Sequence, residues 1–70
     1  MELGLYQHYK GDLYEVIALG RHSETLEELV IYKSLYGDFG YWARPKEMFL
    51  GSTEYEGKIV PRFAFVKSIG

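Results

Sequence analysis

Thr25-Leu26-Glu27-Glu28-Leu29-Val30-Ile31-Tyr32-Lys33 decides the fold of this chain, because it carries signals both of a helix start and of a strand. For the helix, Thr25 would be the cap and Glu28, three residues on, would complete a capping box. Against it stand Val30, Ile31 and Tyr32, which favour the pleated surface of a sheet, and Gly37 and Gly40, which would break a helix within about two turns. The strand reading is the stronger. It sets Leu29, Ile31 and Leu35 on one face and Glu28, Val30 and Tyr32 on the other, with the two glutamates near an exposed start.

Upstream, Gly4 to Lys10 carries Leu5, Tyr6 and Tyr9, and Lys10-Gly11-Asp12 is the punctuation of a tight turn. Leu13 to Leu19 follows, with Tyr14, Val16 and Ala18 on one face and Leu13, Ile17 and Leu19 on the other. Both faces are apolar, as in a central strand. Downstream, Gly37-Asp38-Phe39-Gly40 is a loop and Tyr41 to Arg44 a short strand stopped by Pro45. Pro45 to Leu50 has room for one helical or 3-10 turn, with Met48 and Phe49 expected to plug one end of the fold. A final hairpin is expected from Ser52 to Glu56, turning at Glu56-Gly57-Lys58 and returning from Ile59 to Val66, with Pro61 at an edge or bulge. Five to six short strands and one helical turn predict an all-β domain, a small SH3-like barrel covering residues 1–70.

With 70 residues and no cysteine, this chain must hold itself together by packing alone. Seven Tyr, four Phe and one Trp supply the apolar area. No signal-peptide pattern opens the chain, and no apolar run nears the ~20 residues of a membrane span, so a cytoplasmic protein without membrane contact is expected. Eight Lys and Arg against ten Asp and Glu give a formal charge of −2, which argues against sequence-independent nucleic-acid binding but leaves room for a local basic patch.

Several short blocks occur in a specific order: Tyr6-Gln7-His8-Tyr9-Lys10-Gly11 with Tyr14 and Val16, then Arg21-His22-Ser23-Glu24-Thr25, then Val30 and Tyr32. Leu35-Tyr36-Gly37, Trp42, Arg44-Pro45 and Met48-Phe49 continue the series. Together they resemble the bacterial and phage family catalogued as domain of unknown function 1653, from about Tyr6 to Val66. The resemblance implies a compact β-barrel and brings no established activity with it.

Two groups of residues are candidate ligand sites. The first is Arg21-His22-Ser23-Glu24-Thr25, a cation, an imidazole, two hydroxyls and a carboxylate on the connection between two strands. These are the residue types of a hydrolase, yet on an extended segment His22 and Ser23 point to opposite sides, which denies Ser23 its base. His22 with Glu24 is the only acid–base pairing left, so a small hydrolase or nucleotide-processing enzyme is the alternative to a binding module. The plainer reading is an ordered turn, with Ser23 or Thr25 bonding to backbone and Arg21 and Glu24 forming a surface pair. The second group is Trp42, Arg44 and Tyr36, with His8, Tyr6 or Tyr9 from the first strand, where aromatics could line a groove and Arg44 could hold a carboxylate or phosphate.

Two histidines without a thiol do not make a metal set, and the eight glycines show no phosphate-cradling spacing, so no metal or cofactor is expected. The reading is a non-enzymatic binding or accessory module for a small anionic ligand, a peptide segment or a protein partner. Nucleic-acid contact would need Lys10, Arg21, Arg44, Lys46 and Arg62 to converge, and pairing with a second copy could use the Pro61 edge.

Overall fold

The computed structural model describes residues 1–69 as seven strands and one short helix: β1 (Gly4–His8), β2 (Leu13–Arg21), β3 (Glu28–Ser34), β4 (Tyr41–Pro45), α1 (Lys46–Phe49), β5 (Ser52–Tyr55), β6 (Lys58–Pro61) and β7 (Phe63–Lys67). The deciding stretch is a strand. Along β3, Val30, Tyr32 and Ser34 are buried while Leu29, Ile31 and Lys33 are only half covered, the period-two pattern that rules out a helix. Five strands form one antiparallel sheet in the order β4-β3-β2-β1-β7, and β5 and β6 form a separate hairpin. Among the described residues no helix is long and apolar enough to cross a membrane.

Two features depart from expectation, the first by adding a strand to the five to six expected. The return strand predicted from Ile59 to Val66 is broken at Arg62, so that β6 pairs with β5 and β7 pairs with β1. Pro61 ends β6 at that break, where its missing N–H costs no ladder bond. Arg62 then ties the halves together: its N–H donates to the Gly51 carbonyl and its own carbonyl accepts the Tyr9 N–H, each at 3.0 Å. The β5–β6 turn is the tight two-residue kind, with Glu56 and Gly57 both at positive φ (52° and 77°).

The second feature is a bulge in β2. Val16 lies opposite Tyr32 but Ala18 lies opposite Ile31, so Ile17 is the extra residue. Residues directly opposite in an antiparallel pair share a face. Ala18 therefore leaves the Val16 face it was expected to share, and Leu19 crosses to the side of Val30.

Tyr6, Val16, Val30, Tyr32, Phe49 and Phe63 form the core, drawn from four strands and α1. Phe49 is fully buried and lies flat on Phe63, with ring centres 4.1 Å apart and planes at 5°. Tyr6 and Tyr32 meet it from the sides at 5.4 and 5.3 Å. Pro45 directs the chain off β4, and the single turn of α1 drops Phe49 into the mouth of the sheet. Met48, expected beside it, points away and is half exposed, because neighbouring helical positions face directions about 100° apart. At the start of β1, Gly4 holds φ at +137° beside the chain leaving β7, where an added Cβ would lie 2.9 Å from Ser68 Cα.

Phe49→Ala should remove about 3–5 kcal/mol, enough to abolish cooperative unfolding in a domain of this size. Met48→Ala should cost under about 0.5 kcal/mol. Urea denaturation followed by circular dichroism compares the two.

Candidate functional site

Of the two groups singled out in the sequence, the Arg21 to Thr25 block proves to be a hydrogen-bonded turn. Its side chains are exposed. His22 Nδ1 accepts the backbone N–H groups of Glu24 and Thr25 at 3.1 and 3.3 Å, and Thr25 Oγ1 accepts that of Glu27 at 3.2 Å. The His22 N–H donates to the Glu27 carbonyl, and the His22 carbonyl accepts the Leu26 N–H, while Leu26 takes the left-handed φ of 63° that closes the loop. His22 and Thr25, rather than Ser23, order the connection. Arg21 does not pair with Glu24: among the described residues the one ion pair is Lys46 Nζ with Glu28 Oε2, at 3.7 Å. Neither His22 nor Glu24 lines the hollows at Glu28–Glu47, Tyr9–Tyr55, Arg21–Leu29 or Trp42–Arg44.

The second group does come together. Trp42 and Arg44 project from β4 on the core side, opposite Tyr32 and Val30 respectively. With Tyr14 from β2, Tyr32 from β3 and Tyr36 from the following loop, they line a groove of about 190 Å³. Trp42 is 55% exposed, yet its Nε1–H donates to Ser34 Oγ at 2.8 Å, and Ser34 is buried. The indole is thus an open surface in a fixed pose. Tyr36 and Tyr14 share one hydrogen bond between their hydroxyls, at 2.6 Å, and their rings meet edge to face.

Burial, followed by the bond to Tyr36, pushes the Tyr14 hydroxyl well above its ordinary pKa, so this phenol stays protonated. Two hydroxyls sharing one bond leave one O–H to offer a ligand.

Arg44 spans the opening between the two edges of the sheet. Its guanidinium lies over the Phe63 ring of β7 at 5.8 Å. His8, opposite Phe63 in the β1–β7 ladder, packs on the same ring at 5.0 Å and on Tyr14 at 6.3 Å. Its pKa lies below the ordinary histidine value, first through burial and then through Lys10, with Arg44 and Arg62 adding to the effect and Asp12 opposing it. Lys10, Arg44 and Arg62 thus bear on His8 together, against the one carboxylate of Asp12. Arg21 and Lys46, the other cations of the proposed basic patch, instead line a separate hollow with Glu28.

Tyr6 and Tyr9, considered for the groove, lie elsewhere. Tyr6 belongs to the core and donates its hydroxyl to the Glu2 carbonyl, and Tyr9 packs on Tyr55. Tyr14, Tyr32 and Ser34 were not foreseen as site residues, since placing them beside Trp42 requires the β2–β3–β4 register. The largest hollow, about 480 Å³, is bounded by Glu27, Glu28 and Glu47 with Lys46 and Leu50. It has no ring to stack on, and its one cation is engaged by Glu28.

Fold and groove together define a small all-β domain with an aromatic, arginine-edged cleft at the open side of its main sheet. The chain belongs to the family described as "Protein of unknown function (DUF1653)", whose model matches residues 4–65. A crystal structure of a protein of that family from Bordetella bronchiseptica is similar over 100% of this chain and 92% of its own, with 33% sequence identity and a TM-score of 0.90. No curated protein matches the chain significantly. The family description assigns no activity.

Because the folded pKa of His8 is depressed from 6.5, the unfolded chain takes up the proton first. His8 thus contributes stability that is complete above about pH 6.5 and is lost as pH falls through its folded pKa. His8→Gln should flatten the fall in urea midpoint between neutral pH and about pH 5. Identical pH profiles for the two proteins would contradict this account.

Proposed function

We propose that this domain is a non-enzymatic binding module on an SH3-like scaffold, and that the Trp42–Arg44 groove takes a small anionic ligand carrying a flat ring. The observation that supports this most is Trp42 itself. A chain with so little core has every physical reason to bury its one tryptophan, yet the indole stands in solvent with its N–H fixed by buried Ser34. A platform held in advance of binding spares the ligand the cost of ordering it. Arg44 provides the charge and the Tyr14–Tyr36 pair one hydrogen-bond donor. At about 190 Å³ the groove is smaller than the roughly 300–1,000 Å³ of a drug-sized pocket, which suits a single ring system with its anionic group at the rim.

The Arg21 to Thr25 connection drops out of this reading, because His22 and Thr25 are engaged in the turn and none of the five residues lines the same groove. Nothing in the geometry favours the hydrolase alternative. A fold held without cysteine is suited to a reducing compartment such as the cytoplasm.

The single tryptophan is its own reporter. Titrating aryl carboxylates and aryl phosphates should give a saturable change in Trp42 emission, whereas the uncharged ring or a simple anion alone should bind about tenfold more weakly or worse. Arg44→Gln should erase that difference. Unchanged emission across the whole panel would rule the reading out.

A further inference from the structure

Building on the binding-module reading, we infer that the groove recognises an unpaired nucleotide, with the base stacked on Trp42 beside Tyr36 and the phosphate at Arg44, on a cationic track continued by Arg62 and Lys10. Three observations converge on this ligand class.

Trp42 is a large planar surface, exposed and fixed, and sequence-tolerant stacking of a base on such a surface contributes about 1–3 kcal/mol. The groove has room for a ring system but not for a longer chain, so whatever is attached to the ring must leave across the rim. There it meets the Arg44 guanidinium, itself seated on Phe63.

The charge beside the groove exceeds what one carboxylate would call for. Lys10, Arg44 and Arg62 all act on His8 against the single carboxylate of Asp12, and among the described residues none of the three cations is in an ion pair. In a chain of net charge −2 this is a local reversal of sign. Glu27, Glu28 and Glu47 meanwhile gather around a different hollow. A phosphomonoester or phosphodiester is the anion that uses several cations at once.

The same arrangement excludes the other common use of an aromatic cleft. Trp42, Tyr14, Tyr32 and Tyr36 could otherwise enclose a quaternary ammonium, but Arg44 lines the groove with them and would repel a cation. A base also matches the hydrogen-bonding left over at the Tyr14–Tyr36 pair, which has one O–H to donate and lone pairs to accept.

Free nucleotides and single strands present the same chemistry, and Lys10 and Arg62, which act on His8 together with Arg44, give the experiment its two arms. Emission of Trp42 in the wild-type protein is titrated with a nucleoside, ribose 5-phosphate, the nucleoside 5′-monophosphate and an eight-residue oligothymidylate. The monophosphate should bind at least about tenfold more tightly than the nucleoside or the sugar phosphate, because only it engages both Trp42 and Arg44. If the source is a strand, the oligomer should bind at least about tenfold more tightly again, and the double variant Lys10→Gln/Arg62→Gln should lose that gain and lower the salt dependence. Equal affinity for monomer and oligomer assigns a free nucleotide. Arg44→Gln, checked for an unchanged thermal transition, should bind nucleoside and nucleotide alike; the wild-type ranking stands as the test if that variant fails to fold. Saturable binding of aryl carboxylates with silence toward every nucleotide and oligomer would overturn the inference and leave the binding-module reading intact. Silence toward all of them would overturn both.

Discussion

The flat stack of Phe49 on Phe63 is the contact on which the rest of this small structure depends. The main sheet is open: β4 and β7 are its edges and are not paired to one another among the described residues. Something must fill the space between them. With no cysteine to bridge the edges, one aromatic side chain from a four-residue helix does so, lying on β7 through Phe63 and against β1 and β3 through Tyr6 and Tyr32. Phe63 also carries the Arg44 guanidinium from the opposite edge. The ring that completes the core is thus the ring that seats the Arg44 guanidinium, and the core and the groove share one residue.

Residues whose placement follows from local pattern were legible in the sequence, and residues placed by register were not. Val30, Ile31 and Tyr32 are strand formers strong enough to overrule the capping box at Thr25 and Glu28, but which of the two apolar faces of β3 is buried, the Val30–Tyr32 one, follows only from what packs on it. The bulge at Ile17 could not be read, because one extra residue in a run apolar on both faces leaves the pattern unchanged. Pro61 marked an irregularity but could not say that the chain would change partners there, since that depends on where β5 lies. Met48 and Phe49 are neighbours of similar character. Only the direction in which α1 leaves Pro45 decides which is buried.

The candidate site divides in the same way. Trp42, Arg44, Tyr36 and His8 stand out by residue type, and the structure gathers the first three in one groove with His8 alongside. The Arg21 to Thr25 block stands out more and does less: its density of polar groups is that of a loop that must satisfy its own backbone. His22 Nδ1 and Thr25 Oγ1 take up three N–H groups there. Chemical variety in a short connection therefore measures turn-making as readily as reactivity. Tyr14 and Ser34 carried no such signal, one lying in a strand and the other at a strand end.

Ser34 explains why the groove has the shape it has. Its hydroxyl is buried on the core face of β3, and a buried polar group needs a hydrogen-bond partner. On the neighbouring strand Trp42 sits opposite Tyr32, two residues along that same face, with its indole N–H directed to Ser34 Oγ. Exposed as it is, the indole could have been satisfied by solvent; the serine could not. The need for the bond therefore comes from the core and its consequence falls on the surface, where it holds a large apolar plane in one orientation. Replacing Ser34 by an apolar residue would satisfy the core equally well and would release Trp42. The pose of the exposed indole is thus tied to a single polar atom inside the fold, and a rigid aromatic surface arises in a domain too small to build a deep pocket.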